Sequence, residues 1–161
     1  MSQRFVSFHL GGELWGVDIL QVRETLEAPE FVEIPKAPKH IAGLMNLRGQ
    51  VVCVVDLSNR VYGRSSKQPQ NVLILKSNGE LPDPAMCEGA DRLENIGDES
   101  VGILVDSVSD VVQVDEHDVE LTSGSAAEHS DAETRFVRGV AQVDDNLMML
   151  VSLSELVNAA A

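Results

Sequence analysis

GLMNLRGQVVCVVDL, residues 43–57, decides how the rest of this chain is read. Two apolar runs flank Asn46-Leu47-Arg48-Gly49-Gln50, and a short Gly-containing break between such runs predicts a β-hairpin with that pentapeptide at its tip. The second run, Val51 to Val55, is an unbroken series of small β-formers, the pattern of a strand covered on both faces. Arg48 belongs at the turn, because a lone guanidinium is costly to bury in an apolar layer. Asp56 follows as the cap of a short helix running to about Tyr62. Two readings of the tip stand at this point. Either the arginine keeps a plain hairpin soluble, or the tip contacts something.

The same pattern recurs later in the chain. At an offset of 96, Gly43 falls on Gly139, Leu47 on Val143, Val51 on Leu147, Val55 on Val151 and Leu57 on Leu153, without a gap. Asp56 meets Ser152, so both copies lead into a helix, and Ser152-Leu-Ser-Glu155 predicts a capping box for the second. Only the tips differ in kind: Arg48-Gly49-Gln50 becomes Asp144-Asp145-Asn146, an ordinary polar turn. A repeated scaffold with one altered tip favours a role for Arg48 beyond folding.

Working outward, Arg4 to Leu10 alternates as a half-buried strand. Gly11-Gly12 turns the chain, and Glu13 to Asp18 returns as the partner strand. Ile19, Val22 and Leu26 can share one face of a short helical or irregular segment, with Glu24 on a solvated face. Trp15 is the only tryptophan and is expected to pack between elements. Phe31 to Ile34 reads as a short strand ended by Pro35-Lys-Ala-Pro38, and Asn71 to Lys76 as another strand. Val101-Gly102-Ile103 repeats Trp15-Gly16-Val17 at an offset of 86, which carries Val22 to Val108 and Glu24 to Asp110. The chain therefore contains a strand–strand–hairpin–helix unit twice, about 4–62 and 71–157, each predicted to form a small antiparallel barrel or sandwich. Residues 77–100 and 123–133, rich in Gly, Pro, Ser and acids, read as long exposed loops.

Composition narrows the function. The chain carries 26 acidic and 12 basic side chains, a formal net charge of −14, which repels nucleic acid and anionic lipid. No stretch is apolar enough to span a bilayer or to serve as a signal peptide, and two cysteines, Cys53 and Cys87, make no disulfide framework. A reducing cytoplasm is the expected setting. His9, His40, His117 and His129 show no ligand spacing, and the acids of the long loop lack an EF-hand register, so no metal or cofactor is expected. Phosphate loops and hydrolase motifs are missing, and Cys53 has no neighbouring base, which leaves no catalytic constellation. Val22-Arg23-Glu24 and Met45-Asn46-Leu47-Arg48 remain as contact candidates, arginine beside apolar side chains being a good protein-binding combination.

These segments resemble CheW-type chemotaxis coupling proteins over nearly the whole chain. The resemblance is carried by Trp15-Gly-Val-Asp-Ile19, Val22-Arg-Glu24, Ile34-Pro-Lys-Ala-Pro38, Ile41-Ala-Gly-Leu-Met-Asn-Leu-Arg-Gly49, Val51-Val-Cys-Val-Val-Asp-Leu57 and Val101 to Val111. It implies a mainly β fold with short helices, two SH3-like five-stranded barrel subdomains intertwined in one domain over residues 4–157, with residues 77–100 as a long acidic insertion. It also implies a non-catalytic adaptor, cytoplasmic and peripheral to receptor arrays. Its partners would be the cytoplasmic tip of methyl-accepting chemoreceptors, the regulatory domain of a CheA-type histidine kinase and further adaptor copies in rings. By matching position the contact residues would be Val22, Glu24, Leu44, Asn46, Arg48, Gly49, Val105 and Val108. Trp15 stands where the family more often has Tyr or Phe, and Cys53 where Pro is common. The long insertion leaves open a paralogue serving another chemosensory system, such as pilus or second-messenger control. A free-standing relative of the kinase regulatory domain and a small hydrolase on a β scaffold are two further readings, and the hydrolase lacks a nucleophile–base pair.

Overall fold

The computed structural model describes residues 2–27, 30–65, 69, 71–86, 93–94, 96–121 and 135–158. Cys87, His129 and the loop expected at 123–133 lie outside the described residues. Among the described residues, eleven strands occur in the order β1 (Ser2–Leu10), β2 (Glu13–Asp18), β3 (Val22–Glu27), β4 (Ile41–Leu47), β5 (Gln50–Asp56), β6 (Asn71–Leu75), β7 (Val101–Val105), β8 (Ser107–Asp115), β9 (Val119–Leu121), β10 (Val137–Val143) and β11 (Asn146–Val151). Helices α1 (Leu57–Tyr62) and α2 (Leu153–Asn158) close the two halves.

The strands make two sheets, ordered β8-β1-β2-β11-β10-β9 and β3-β6-β7-β5-β4. The architecture is mainly β with short helices and two SH3-like subdomains, as the resemblance implied. One sheet has six strands rather than five, because the short β9 adds beside β10. The sheets do not follow the sequence halves. β1 and β2 from the first half sit in the sheet completed by β8 to β11, while β6 and β7 from the second half sit with β3, β4 and β5. Each half lends its first strand pair to the other. The exchange creates one parallel joint per sheet: Trp15 lies opposite Met149 on β2 and β11, and Val101 opposite Cys53 on β7 and β5. Each subdomain is therefore not the purely antiparallel unit that adjacent sequence suggests.

Strands inside both sheets bury both faces. On β6, Val72 and Ile74 enter one apolar cluster while Leu73 and Leu75 enter another, as period-two alternation requires. Met45, Leu47, Val52, Val54 and Leu104 fill the interior of the five-stranded sheet, and Phe5, Val114, Ala141, Met148 and Leu150 that of the other. Phe8, Leu10, Trp15, Leu57, Ile103, Phe136 and Leu153 belong to the largest cluster, a layer shared by both sheets. Trp15 is fully buried there, the expected packing role. β1 is consequently not half-buried: Phe5, Val6, Ser7 and Phe8 in succession are all buried. Ser7 satisfies its hydroxyl by donating to the Asp110 carbonyl, beside an irregularity in the β1–β8 register.

Local sequence signals hold in some places and yield to tertiary contacts in others. Asp56 caps α1 by accepting from the Asn59 N–H at 3.1 Å. The bulge between Ile41 and Gly43 recurs between Val137 and Gly139, so the repeat extends even to its irregularities. At both glycines a neighbouring strand or bridge comes close. A Cβ on Gly43 would lie 2.3 Å from the Val32 carbonyl oxygen, and one on Gly139 2.5 Å from that of Glu120. Residues 31–34 form only an isolated bridge, Val32 to Leu44, rather than a strand. Ile19–Gln21 is a single 3₁₀ turn, and Val22, Glu24 and Leu26 then lie on strand β3, not on a helix face. Val51 is largely exposed, so the covered part of its strand begins at Val52.

The capping box expected at α2 is replaced by a longer-range cap. Glu94, from the long loop, accepts from the Leu153 N–H at 2.6 Å and from the Ser154 hydroxyl at 3.0 Å. Glu155 pairs with Arg135 instead. The Glu94 backbone also exchanges two hydrogen bonds with the side chain of Gln21, which is buried, and nearby Ile96 joins the shared core. The expectation of an entirely exposed loop over 77–100 is thus corrected: at residues 94 and 96 it is anchored, because a cap and an apolar side chain offset the entropy of ordering.

Two stability effects follow. Gly43→Ala drives a methyl group into the Val32 carbonyl and should lower unfolding free energy by about 2 kcal/mol, read from the denaturant midpoint. Glu94→Ala should cost about 1–2 kcal/mol through the lost cap, whereas Ala at exposed Glu120 should change the midpoint little.

Candidate functional site

The hairpin tip is a two-residue turn. β4 and β5 pair from Ile41–Val55 to Leu47–Gln50, leaving Arg48 and Gly49 as the connection. Their φ values, +53° and +85°, are the left-handed pair that suits the twist of a tight hairpin. Glycine adopts this conformation freely, but arginine does so at a cost of about 1–2 kcal/mol. The Asn46 carboxamide holds the turn by accepting from the Gly49 N–H at 2.8 Å. Arg48 is then held from its far end. Its guanidinium donates to both oxygens of Glu24, at 2.8 and 3.0 Å, in a bidentate fork.

This pair crosses the sheet. Glu24 sits on edge strand β3 and Arg48 at the end of the opposite edge strand β4, so the fork clasps the two edges of the five-stranded sheet together. Arg23, the neighbour of Glu24, adds a second tie by donating to Gln50 Oε1 at 3.0 Å and lying 3.4 Å from Glu80 Oε2. Glu80 is itself oriented by the Ser77 N–H and hydroxyl. Burial alone would raise the Glu80 pKa, but those two bonds, Arg23 and Lys76 outweigh it and hold the carboxyl below its usual value.

Arg48 side-chain exposure is 67% and that of Glu24 is 21%, so the fork presents its cation outward. Beside it, Val51 lies opposite Asn46 and is 64% exposed, and Val32, on the segment bridged to β4, is 74% exposed. Phe31, Val32, Met45 and Asn46 line an open groove of about 470 Å³ next to the tip. Leu44 on β4 is half-buried and bridged to Val32. The sequence-derived residues Glu24, Asn46, Arg48 and Gly49 are therefore brought together, with Val22 and Leu44 flanking on their own strands.

Val105 and Val108 lie elsewhere, at the β7–β8 connection. Val105 is fully buried in the shared layer, and Val108 is half-buried against it. Asn71 links that corner to β3 by accepting from the Val108 N–H and donating to the Leu26 carbonyl. Gln50, Val32 and Val51 carry no contact signal in the sequence, and nothing there joins Arg23 to the tip. Their signal is topological: closure of β3 onto the β4–β5 turn sets Arg23 against Gln50, and the bridge at Leu44 brings up Val32.

Chemistry beyond contact finds little support among the described residues. No three His, Cys, Asp or Glu side chains gather in a metal-binding cluster there. Burial, then Glu99, pushes the Cys53 thiol up and away from a reactive thiolate. A second concavity of about 220 Å³ includes Asp18, Gln21, Glu94 and Leu153, but Gln21 and Glu94 spend their polar groups on each other and on α2. No helix among the described residues is long and apolar enough to cross a membrane.

Comparison with known proteins gives the family. Residues 4–161 match the family model described as CheW-like domain. The chain is 30% identical over 157 residues to the chemotaxis protein CheW of Rhizobium meliloti, covering 96% of this chain and 87% of that one. It is 26% identical over 159 residues to CheW of Klebsiella aerogenes, with 99% and 84% covered. Among solved structures, the scaffolding protein TtCheW from Thermoanaerobacter tengcongensis superposes with a TM-score of 0.74 at 27% identity, covering 97% of this chain and 88% of that one. On the matching family model, these relatives and the shared two-sheet fold, this chain belongs to the CheW-like domain family.

Proposed function

We propose that this protein is a non-catalytic chemosensory adaptor. It couples the cytoplasmic tips of methyl-accepting chemoreceptors to the regulatory domain of a CheA-type histidine kinase, and works at the cytoplasmic face of receptor arrays, alone or in rings with further copies. The observation that carries the reading is the Arg48 tip, fixed in a strained turn by Asn46 and Glu24 and set beside exposed Val51 and Val32. A charged anchor of fixed geometry next to apolar surface suits a protein interface, and an arginine at positive φ, where the matching turn carries the more tolerant aspartate at Asp144, is a pointer to function.

In this reading the domain spans residues 4–157, with two intertwined subdomains. Val22, Glu24, Leu44, Asn46, Arg48 and Gly49 form the receptor-contact region. Val108 borders the groove for a receptor helix, and Val105, being buried, acts by setting the β7–β8 corner. Coupling requires no cofactor and no bond chemistry. The adaptor biases the kinase by binding its states with different affinity while holding receptor and kinase in a fixed relation. The length of the 77–100 segment, whose Glu80 meets Arg23 beside the tip, favours a second reading, a paralogous scaffold of another chemosensory pathway.

The test is binding of the purified protein to a receptor signalling fragment, comparing wild type with Arg48→Glu. The variant sets two carboxylates against each other, should remain folded by circular dichroism, and should bind at least about tenfold more weakly. Equal binding by both forms would make Arg48 an ordinary turn residue, and no binding by the wild type would remove the adaptor reading for these receptors.

A further inference from the structure

We infer that Glu80, at the neck of the long loop, is a built-in competitor for Arg23, and that an acidic side chain of the bound partner takes its place. This inference rests on the reading of the tip as a partner-binding face. The two arginines on that face are held differently. Arg48 is gripped by a two-bond fork at 2.8 and 3.0 Å. Arg23 meets Glu80 through one oxygen at 3.4 Å, a single long contact between groups 27% and 35% exposed. The weaker pair is the one that exchanges.

Exchange also costs Glu80 little. Its other oxygen keeps the Ser77 N–H at 3.1 Å and the Ser77 hydroxyl at 2.9 Å, whichever group Arg23 engages. The neck itself stays in place. The Asn78 N–H donates to the Gly97 carbonyl at 2.9 Å, and the Lys76 N–H to the Gln21 carbonyl at 2.8 Å. Farther along the loop, Glu94 is locked to Gln21 and α2. Glu80 is thus presented to Arg23 by a fixed frame, not by a chance loop position.

Charge states which partner fits. With 26 acidic against 12 basic side chains, the molecule repels acidic surfaces except where cations face outward. Arg48 pairs with Glu24, and Arg23, the neighbour of Glu24, reaches Gln50 at the end of the same hairpin turn, next to exposed Val51. That arrangement suits a receptor segment carrying a carboxylate beside apolar residues. It also discriminates, because a partner lacking the carboxylate gains nothing from displacing Glu80.

Glu80→Gln tests this, since the amide oxygen can still accept from Ser77 while the charge on Arg23 is released. Affinity for the receptor signalling fragment, measured calorimetrically at low salt, should rise about threefold, and the gain should vanish when Arg23→Gln is added. A wild type that binds while Glu80→Gln leaves affinity unchanged or lowers it overturns the inference and leaves the adaptor reading standing. A wild type that does not bind, with Arg48→Glu equally inert, overturns the reading of the face and the inference with it.

Discussion

Everything in this molecule depends on the exchange of first strand pairs between its two halves. Because β1 and β2 complete the sheet of the second half, and β6 and β7 that of the first, neither sheet closes without the other half of the chain. The apolar layer between the sheets is built from the outer faces of the exchanged strands, with Phe8, Leu10 and Trp15 from one side and Leu73, Leu75 and Ile103 from the other. Burying this layer supplies a hydrophobic gain that two separate small barrels would each lack. Its consequence is rigidity between the subdomains, which an adaptor that fixes the relation of two partners requires.

Rigidity alone does not recognise anything. The recognition we propose sits where the repeat breaks, at Arg48-Gly49 against Asp144-Asp145. Both turns place a non-glycine residue at positive φ, Arg48 at +53° and Asp144 at +52°. Aspartate tolerates that conformation comparatively well, whereas arginine has no local reason to be there. The fork from Glu24 and the Asn46 bond to the turn compensate the strain, and the same fork closes the five-stranded sheet. One interaction therefore serves both closure and presentation. That coupling explains why a surface pair, ordinarily worth under about 1 kcal/mol, occupies so constrained a site.

Much of this is legible in the residues. The offset of 96 predicts both hairpins and both helices, and the structure reproduces it down to the bulge at Ile41–Gly43 and Val137–Gly139. The family resemblance implies the two-subdomain fold. Hydrophobic period, however, says which face of a strand is buried and not which strand lies beside it, so the pairing of β2 with β11 across the chain leaves no trace in the pattern. β3 reads as helical or irregular because an edge strand closing a barrel is half-buried along its length and loses clean alternation. The cap at α2 escapes local reading for a related reason. Glu155 has the right spacing, but Glu94 arrives through space and leaves Glu155 to Arg135. The tie from Arg23 to Gln50 is hidden in the same way, since closure and not sequence proximity joins them.

The coupling we propose demands that one molecule engage two partners at the same time through different parts of its surface. Sedimentation velocity on this protein mixed with a CheA-type regulatory domain and a receptor signalling fragment measures that directly. A complex containing all three components, sedimenting faster than either pair, is the predicted result. Strictly competitive binding, in which each partner expels the other, would contradict the account even if both pairs form.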